Sequence, residues 1–186
     1  MYNEDLIEKK VDSKCIYDGK VLHVYCDDIA LPDGTAATRE YAKHIGAVAV
    51  VPLTDEGEVV CVRQFRYPLG RVILEIPAGK LDDYYEDYRE AALRELREET
   101  GAECKRLDFI GDLVTTPALI DEVIHLYLAR GLTFGETDFD DDEFLDVVKI
   151  PLDTLVDMIM DGRIKDSKTQ AAILKTKIIL ERERNQ

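Results

Sequence analysis

Tryptophan is absent from the 186 residues, histidine occurs three times and cysteine four times. Cys15, Cys26, Cys61 and Cys104 make no C-x-x-C pair and have no histidine cluster at zinc-ligand spacing. That excludes a zinc ribbon and a disulfide framework, and reduced, structural thiols are expected. His23, His44 and His125 are scattered singly over predicted strands, where a lone histidine is ordinarily structural. Nothing approaches the roughly 18 to 20 consecutive apolar residues of a membrane span. The opening MYNEDLIEKK is charged where a signal peptide has an apolar run. A cytoplasmic protein that does not engage membranes is therefore expected. Basic residues are also short: 24 Lys and Arg face 39 Asp and Glu, a formal net charge of −15. Such a surface repels a phosphate backbone, so nucleic-acid polymers are unsuitable partners. A small anionic substrate remains compatible, because divalent cations bound among carboxylates invert the local charge.

What is present reads as one main domain with a small addition. Hydrophobic residues at 46% and charged residues at 34% suit a globular chain of this length. Residues 20–31 are rich in β-branched and apolar types, the PDG at 32–34 is turn chemistry, and 37–44 returns, predicting an N-terminal antiparallel β hairpin over residues 1–45. From 46 to 186 short apolar strands are predicted at 47–53 and 58–66, expected to pair as a second hairpin, then at 72–77, 107–115, 122–130 and 143–150. A helix is predicted over 86–100, closed by Gly101, and two more after Pro151 and Asp166. Many strands with few interspersed helices argue for an α/β sandwich rather than a doubly wound sheet.

The chemistry concentrates on the first helix. Glu95, Glu98 and Glu99 stand at i, i+3 and i+4, so at about 3.6 residues per turn they share one face. Crowded carboxylates are costly unless cations intervene, and ligation by oxygen alone suits hard ions such as Mg²⁺ or Mn²⁺, which keep waters and share substrate phosphates. Because Arg94 and Arg97 interleave with the acids, spacing alone fits a solvated Glu/Arg face equally well.

The longer string decides between them. Gly79, Glu86, Arg94, Glu95, Leu96, Glu98, Glu99, Gly101 and Ala102 resemble the Nudix box, G-x5-E-x7-R-E-U-x-E-E-x-G-U with U aliphatic. Every fixed position from Glu86 to Ala102 is met. The departure is an insertion: six residues rather than five separate Gly79 from Glu86. Beyond the box, the VRQFRYPLGRVILEIPAGKLD, TTPALIDEVIHLYLA and DGRIKDSKT segments are similar to the ADP-ribose pyrophosphatase branch of that family.

The resemblance implies a Nudix-type α/β/α sandwich with a mixed sheet. It also implies Mg²⁺-dependent hydrolysis of ADP-ribose to AMP and ribose 5-phosphate, by a homodimer whose N-terminal strands help build the partner's site. Glu95, Glu98, Glu99 and the backbone carbonyl of Ala78 would hold the ions, and Glu86 with Arg94 would brace the loop against the helix. Glu143 is the first candidate for general base and Asp141 the second. Arg66 would contact a phosphate, with Arg63 and Arg39 as further candidates, Glu40 would meet the adenine, and His44 would reach the substrate of the partner chain. The PALIDE segment departs from the branch's usual P-G-F-S-D-E at Ala118 and Ile120, which leaves the sugar less defined than the reaction. Two alternatives stay open: another nucleoside diphosphate sugar as substrate, and a module that binds ADP-ribose without cleaving it.

Overall fold

The computed structural model describes residues 4–137 and 144–185, so Asp141 and Glu143 lie outside the described residues. The chain divides into two compact units, Met1–Ile45 with Val114–Glu122, and Gly46–Leu113 with Val123–Gln186.

The first unit is a three-stranded antiparallel sheet, β1 (Lys9–Asp18), β2 (His23–Ala30) and β3 (Ala36–Lys43), in that order. The PDG turn closes β2 onto β3. Leu31 N–H donates to Thr35 O at 2.8 Å, the Asp33 carboxylate accepts from Thr35 N–H, and Gly34 takes a φ of 85° that favours glycine. β1 extends the expected hairpin to three strands. Every residue of β1 is exposed, so its sequence carries none of the alternation that betrays a half-buried strand. Residues 119–121 join this unit by running beside the end of β3: Ala42 N–H donates to Leu119 O, and the Asp121 carboxylate accepts from His44 N–H at 2.7 Å.

The second unit is built on a mixed sheet of β4 (Ala47–Leu53), β5 (Glu58–Arg66), β8 (Ala102–Val114), β9 (Val123–Phe134) and β10 (Leu145–Pro151), ordered β10-β5-β4-β9-β8. β6 (Arg71–Glu75) pairs with β5, and β7 (Ala78–Lys80) pairs with β4. β4 is buried along its whole length and lies parallel to β9, from Ala47 opposite Ile124 to Leu53 opposite Arg130. The expected hairpin of β4 with β5 is reduced to a single pair, Leu53 with Val59. β4 spends its other hydrogen bonds on β9 and β7, while β5 pairs with β6 and β10.

Alternate β4 side chains point to opposite faces. Ala47, Ala49, Val51 and Leu53 join Leu126 and Leu128 of β9 in a core with Leu155 and Ile159 of α2 (Leu152–Met160) and Ala172 and Ile173 of α3 (Ser167–Arg184). Val48 and Val50 are fully buried outside that cluster, on the side where α1 (Tyr88–Thr100) packs on β4 with Ala91, Ala92 and Leu96. Helices thus cover both faces, which makes an α/β/α sandwich. Among the described residues all four cysteines are free, and burial pushes the Cys61 thiol up to about 12, which keeps it protonated. Among the described residues no helix is long and apolar enough to cross a membrane.

Candidate active site

α1 begins where local chemistry permits. Asp87 is extended, and its carboxylate accepts from the N–H groups of Arg89 and Glu90 at 2.9 and 3.1 Å, occupying two donors that the first turn leaves open. The helix stops at Gly101, whose φ of 66° is left-handed and whose N–H donates to Arg97 O at 2.8 Å. The buried stripe between these caps holds Ala91, Ala92 and Leu96 for packing, and also Glu95 and Glu99. Two of the three candidate carboxylates are therefore on the inward face, where a charge without a counter-charge is expensive.

Their surroundings come from β7 and from Arg94. Ala78 N–H donates to the Glu99 carboxylate at 3.2 Å, so the residue whose carbonyl was a candidate ligand lies beside Glu99. A Cβ on Gly79 would stand 2.1 Å from the Glu95 carboxyl carbon, so any side chain here would displace that carboxylate. β7 brings both residues into place by pairing Ala78 with Ala49 and Gly79 with Val48. Three residues give too short a run to read as a strand beforehand.

The Arg94 guanidinium binds Glu95 at 2.7 Å, and Glu86 and Glu98 each at 3.2 Å, with Asp82 at 3.6 Å. Burial works to pull its pKa down, but the charge of Glu95, the hydrogen bond to Glu86 and the charges of Asp82 and Glu86 outweigh it and hold the pKa above the ordinary value. Arg94 is thus a fixed cation inside the carboxylate cluster, bonded to Glu95 and Glu98 as well as to the expected Glu86. Among the described residues no three Asp, Glu, His or Cys side chains converge on one ion position as they stand. The donor set still fits a hard divalent cation: carboxylates of Glu95, Glu98 and Glu99 with the Ala78 backbone alongside. Arg94 takes one oxygen of Glu95 and one of Glu98, so ion and arginine would draw on the same two carboxylates.

The inserted loop residue does not break this arrangement. Tyr84 and Tyr85 are exposed, while Glu86 accepts from Asp82 N–H at 2.6 Å and keeps its contact with Arg94. The extra length is absorbed in a solvent-facing turn.

Of the substrate candidates, Arg66 ends β5 and donates through Nε to the buried Glu75 at 2.8 Å. Arg63, three residues earlier on β5, pairs with Asp146 of β10 at 2.9 Å on an exposed surface. Arg39, Glu40 and His44 lie in the first unit. Arg39 binds Glu8, Glu40 is an exposed residue of β3 opposite Cys26, and His44 Nδ1 lies 3.6 Å from Glu122. Glu143 is outside the described residues. Beside Arg66 stand two buried charges, Glu75 and Lys168, that no motif or spacing marked. The available signal was an isolated charge in the apolar run VILEIP, which demands a buried partner.

Clustered carboxylates on a capped helix, set against a mixed sheet between helical layers, are the arrangement expected of the box. The chain matches the NUDIX domain over residues 43–171 and belongs to the Nudix family, whose members act as pyrophosphohydrolases that generally use divalent metal ions. It is 43% identical to the ADP-ribose pyrophosphatase of Bacillus subtilis (strain 168), across 91% of this chain and 92% of the relative. It is 45% identical to the methanol dehydrogenase activator of Bacillus methanolicus, across 89% and 90%. GDP-mannose pyrophosphatase of Pectobacterium atrosepticum is 31% identical across 89% of each chain. In fold, the crystal structure of ADP compounds hydrolase superposes with a TM-score of 0.83 at 22% identity, covering 95% of each chain.

Proposed function

We propose that this chain hydrolyses the pyrophosphate bond of ADP-ribose to AMP and ribose 5-phosphate with Mg²⁺. The observation that carries the reading is the intact carboxylate cluster, with Glu95 and Glu99 buried beside Ala78 and Gly79. Glu95, Glu98, Glu99 and the Ala78 carbonyl would hold the ions. A divalent cation there supplies neutralisation of the phosphate oxygens and polarisation of water. The protein's own groups do the rest. Gly79 lets Glu95 stand against the sheet, Arg94 supplies balancing charge, and Arg66 binds a substrate phosphate, with Arg63 and Arg39 assisting. Glu40 accepts from the exocyclic amine of adenine, and His44 serves the substrate of a partner chain in a homodimer whose first 45 residues form the shared element. Glu143 accepts the proton of the attacking water, with Asp141 as its alternate.

ADP-ribose pyrophosphatases and GDP-mannose pyrophosphatases among the relatives support a nucleoside diphosphate sugar as the substrate class. The test is product analysis with ADP-ribose, ADP-glucose, ADP-mannose, GDP-mannose and diadenosine polyphosphates at equal concentration. AMP formed fastest from ADP-ribose supports the reading; a preference for GDP-mannose moves it to another sugar nucleotide, and binding without turnover makes the chain a sensing module. A second reading, activation of a methanol dehydrogenase, rests on the 45% identity to the Bacillus methanolicus activator. It is tested by assaying that dehydrogenase with and without this chain.

Two substitutions probe the assigned roles. Gly79→Ala displaces the Glu95 carboxylate and is expected to lower kcat/KM about a hundredfold, the scale of a 1 Å misplacement at a reacting centre. Activity within twofold of the parent shows that the placement of Glu95 does not matter. Glu143→Gln is expected to lower kcat about a hundredfold with KM held, since a base contributes to proton transfer rather than to binding. A large rise in KM at unchanged kcat assigns Glu143 to binding instead.

A further inference from the structure

Glu75 ends β6 with only 3% of its side chain exposed. One of its oxygens accepts from Arg66 Nε at 2.8 Å, and the other is ion-paired with the Lys168 ammonium. Lys168, in the first turn of α3, is itself 9% exposed and has a second carboxylate, Asp166, at 3.2 Å. Asp166 caps α3 by accepting from Thr169 N–H at 2.9 Å and from the Thr169 hydroxyl at 2.6 Å. The same hydroxyl oxygen accepts from Ile76 N–H at 3.1 Å, next to Glu75. One chain of bonds therefore runs from the capped start of α3 through Lys168 and Glu75 to Arg66, where β5 leaves the sheet. Among the described residues neither terminal nitrogen of Arg66 has a hydrogen-bond partner, and 39% of the side chain is open to solvent.

We infer that Glu75 and Lys168 are positioning residues that hold the Arg66 guanidinium, by its Nε, in the attitude needed to receive a substrate phosphate on its terminal nitrogens. This rests on the reading of Arg66 given above. A buried ion pair is a weak source of stability, because desolvating two charges offsets most of their attraction, and an apolar pair would fill the space as well. Orienting a planar guanidinium is what the pair does that an apolar pair does not. Lys168 has a distinct part. Without it the Glu75 charge would be balanced by Arg66 alone, and the arginine would offer less net attraction to an incoming anion.

The test is a double-mutant cycle on the full chain, with ADP-ribose and Mg²⁺, reading kcat and KM separately beside thermal midpoints. Arg66→Ala is expected to lower kcat/KM about a hundredfold, Glu75→Gln about tenfold and mainly through KM, and the double variant no further than Arg66→Ala alone. Lys168→Met should match Glu75→Gln, and Lys168→Arg should recover most of the loss. If either Glu75→Gln or Lys168→Met does not fold, the other completes the cycle. Equal losses from Glu75→Gln with and without Arg66, or a change in thermal midpoint alone, overturn the inference by making the pair purely structural. If Arg66→Ala leaves kcat/KM unchanged, the phosphate role of Arg66 falls and the inference with it. No ADP-ribose turnover by the parent chain instead rejects the proposed substrate and, with it, the inference.

Discussion

Glu99→Gln is expected to lower kcat about a thousandfold, on the order of 4 kcal/mol of transition-state stabilisation, while the chain remains folded. Glu99 is 3% exposed, and its carboxylate accepts the Ala78 N–H at 3.2 Å. Glutamine has the same length and keeps a carbonyl oxygen for that bond, so packing and the attachment of β7 to α1 survive. What is lost is one negative charge at the centre of the ligand set, and hard divalent ions depend on carboxylate charge for affinity. The checks are steady-state kinetics over a range of Mg²⁺ concentrations and a thermal melt. Parent-like turnover in this variant would remove Glu99 from the metal site.

The second large effect is on stability. Arg94→Ala deletes the cation that touches Glu86, Glu95 and Glu98, whose side chains are 16%, 12% and 29% exposed. Leaving such charges uncompensated costs about 3 kcal/mol, the low end for breaking a buried pair because solvent screens part of the cluster. For a chain of this size that lowers the thermal midpoint by about 10 °C. The same substitution removes a cation that competes for Glu95 and Glu98, so added Mg²⁺ is expected to raise the midpoint of Arg94→Ala more than that of the parent. Equal Mg²⁺ shifts in both proteins would show that Arg94 and the ion do not share these carboxylates.

α1 was readable in advance because its signals are local: Ala91, Ala92, Leu93 and Leu96 form the expected stripe, of which all but the half-buried Leu93 are buried, and Gly101 closes it. Its start moved from Glu86 to Tyr88 because Asp87 serves as the cap. The strands that carry the core, β4, β5 and β9, were readable as apolar runs. β1 was not, since all of its residues face solvent, and β7 was not, since three residues carry no period. At the site, the spacing of Glu95, Glu98 and Glu99 was visible. The close approach of Gly79 to Glu95 was not, nor the reach of Arg94 to Glu95 and Glu98, nor the chain from Lys168 through Glu75 to Arg66. The Arg94 contacts lie within one helix, where spacing does not say which rotamer Arg94 takes, whereas Gly79 meets Glu95 and Lys168 meets Glu75 only through the folded sheet, the last pair 93 positions apart.

The most direct test of the metal-dependent site is AMP release from ADP-ribose by protein first stripped with a chelator and then titrated with Mg²⁺. The stripped protein is expected to show no turnover and a saturable return of activity as Mg²⁺ is added, much weaker in Glu99→Gln. Turnover that persists undiminished in the stripped protein would contradict a metal-dependent site.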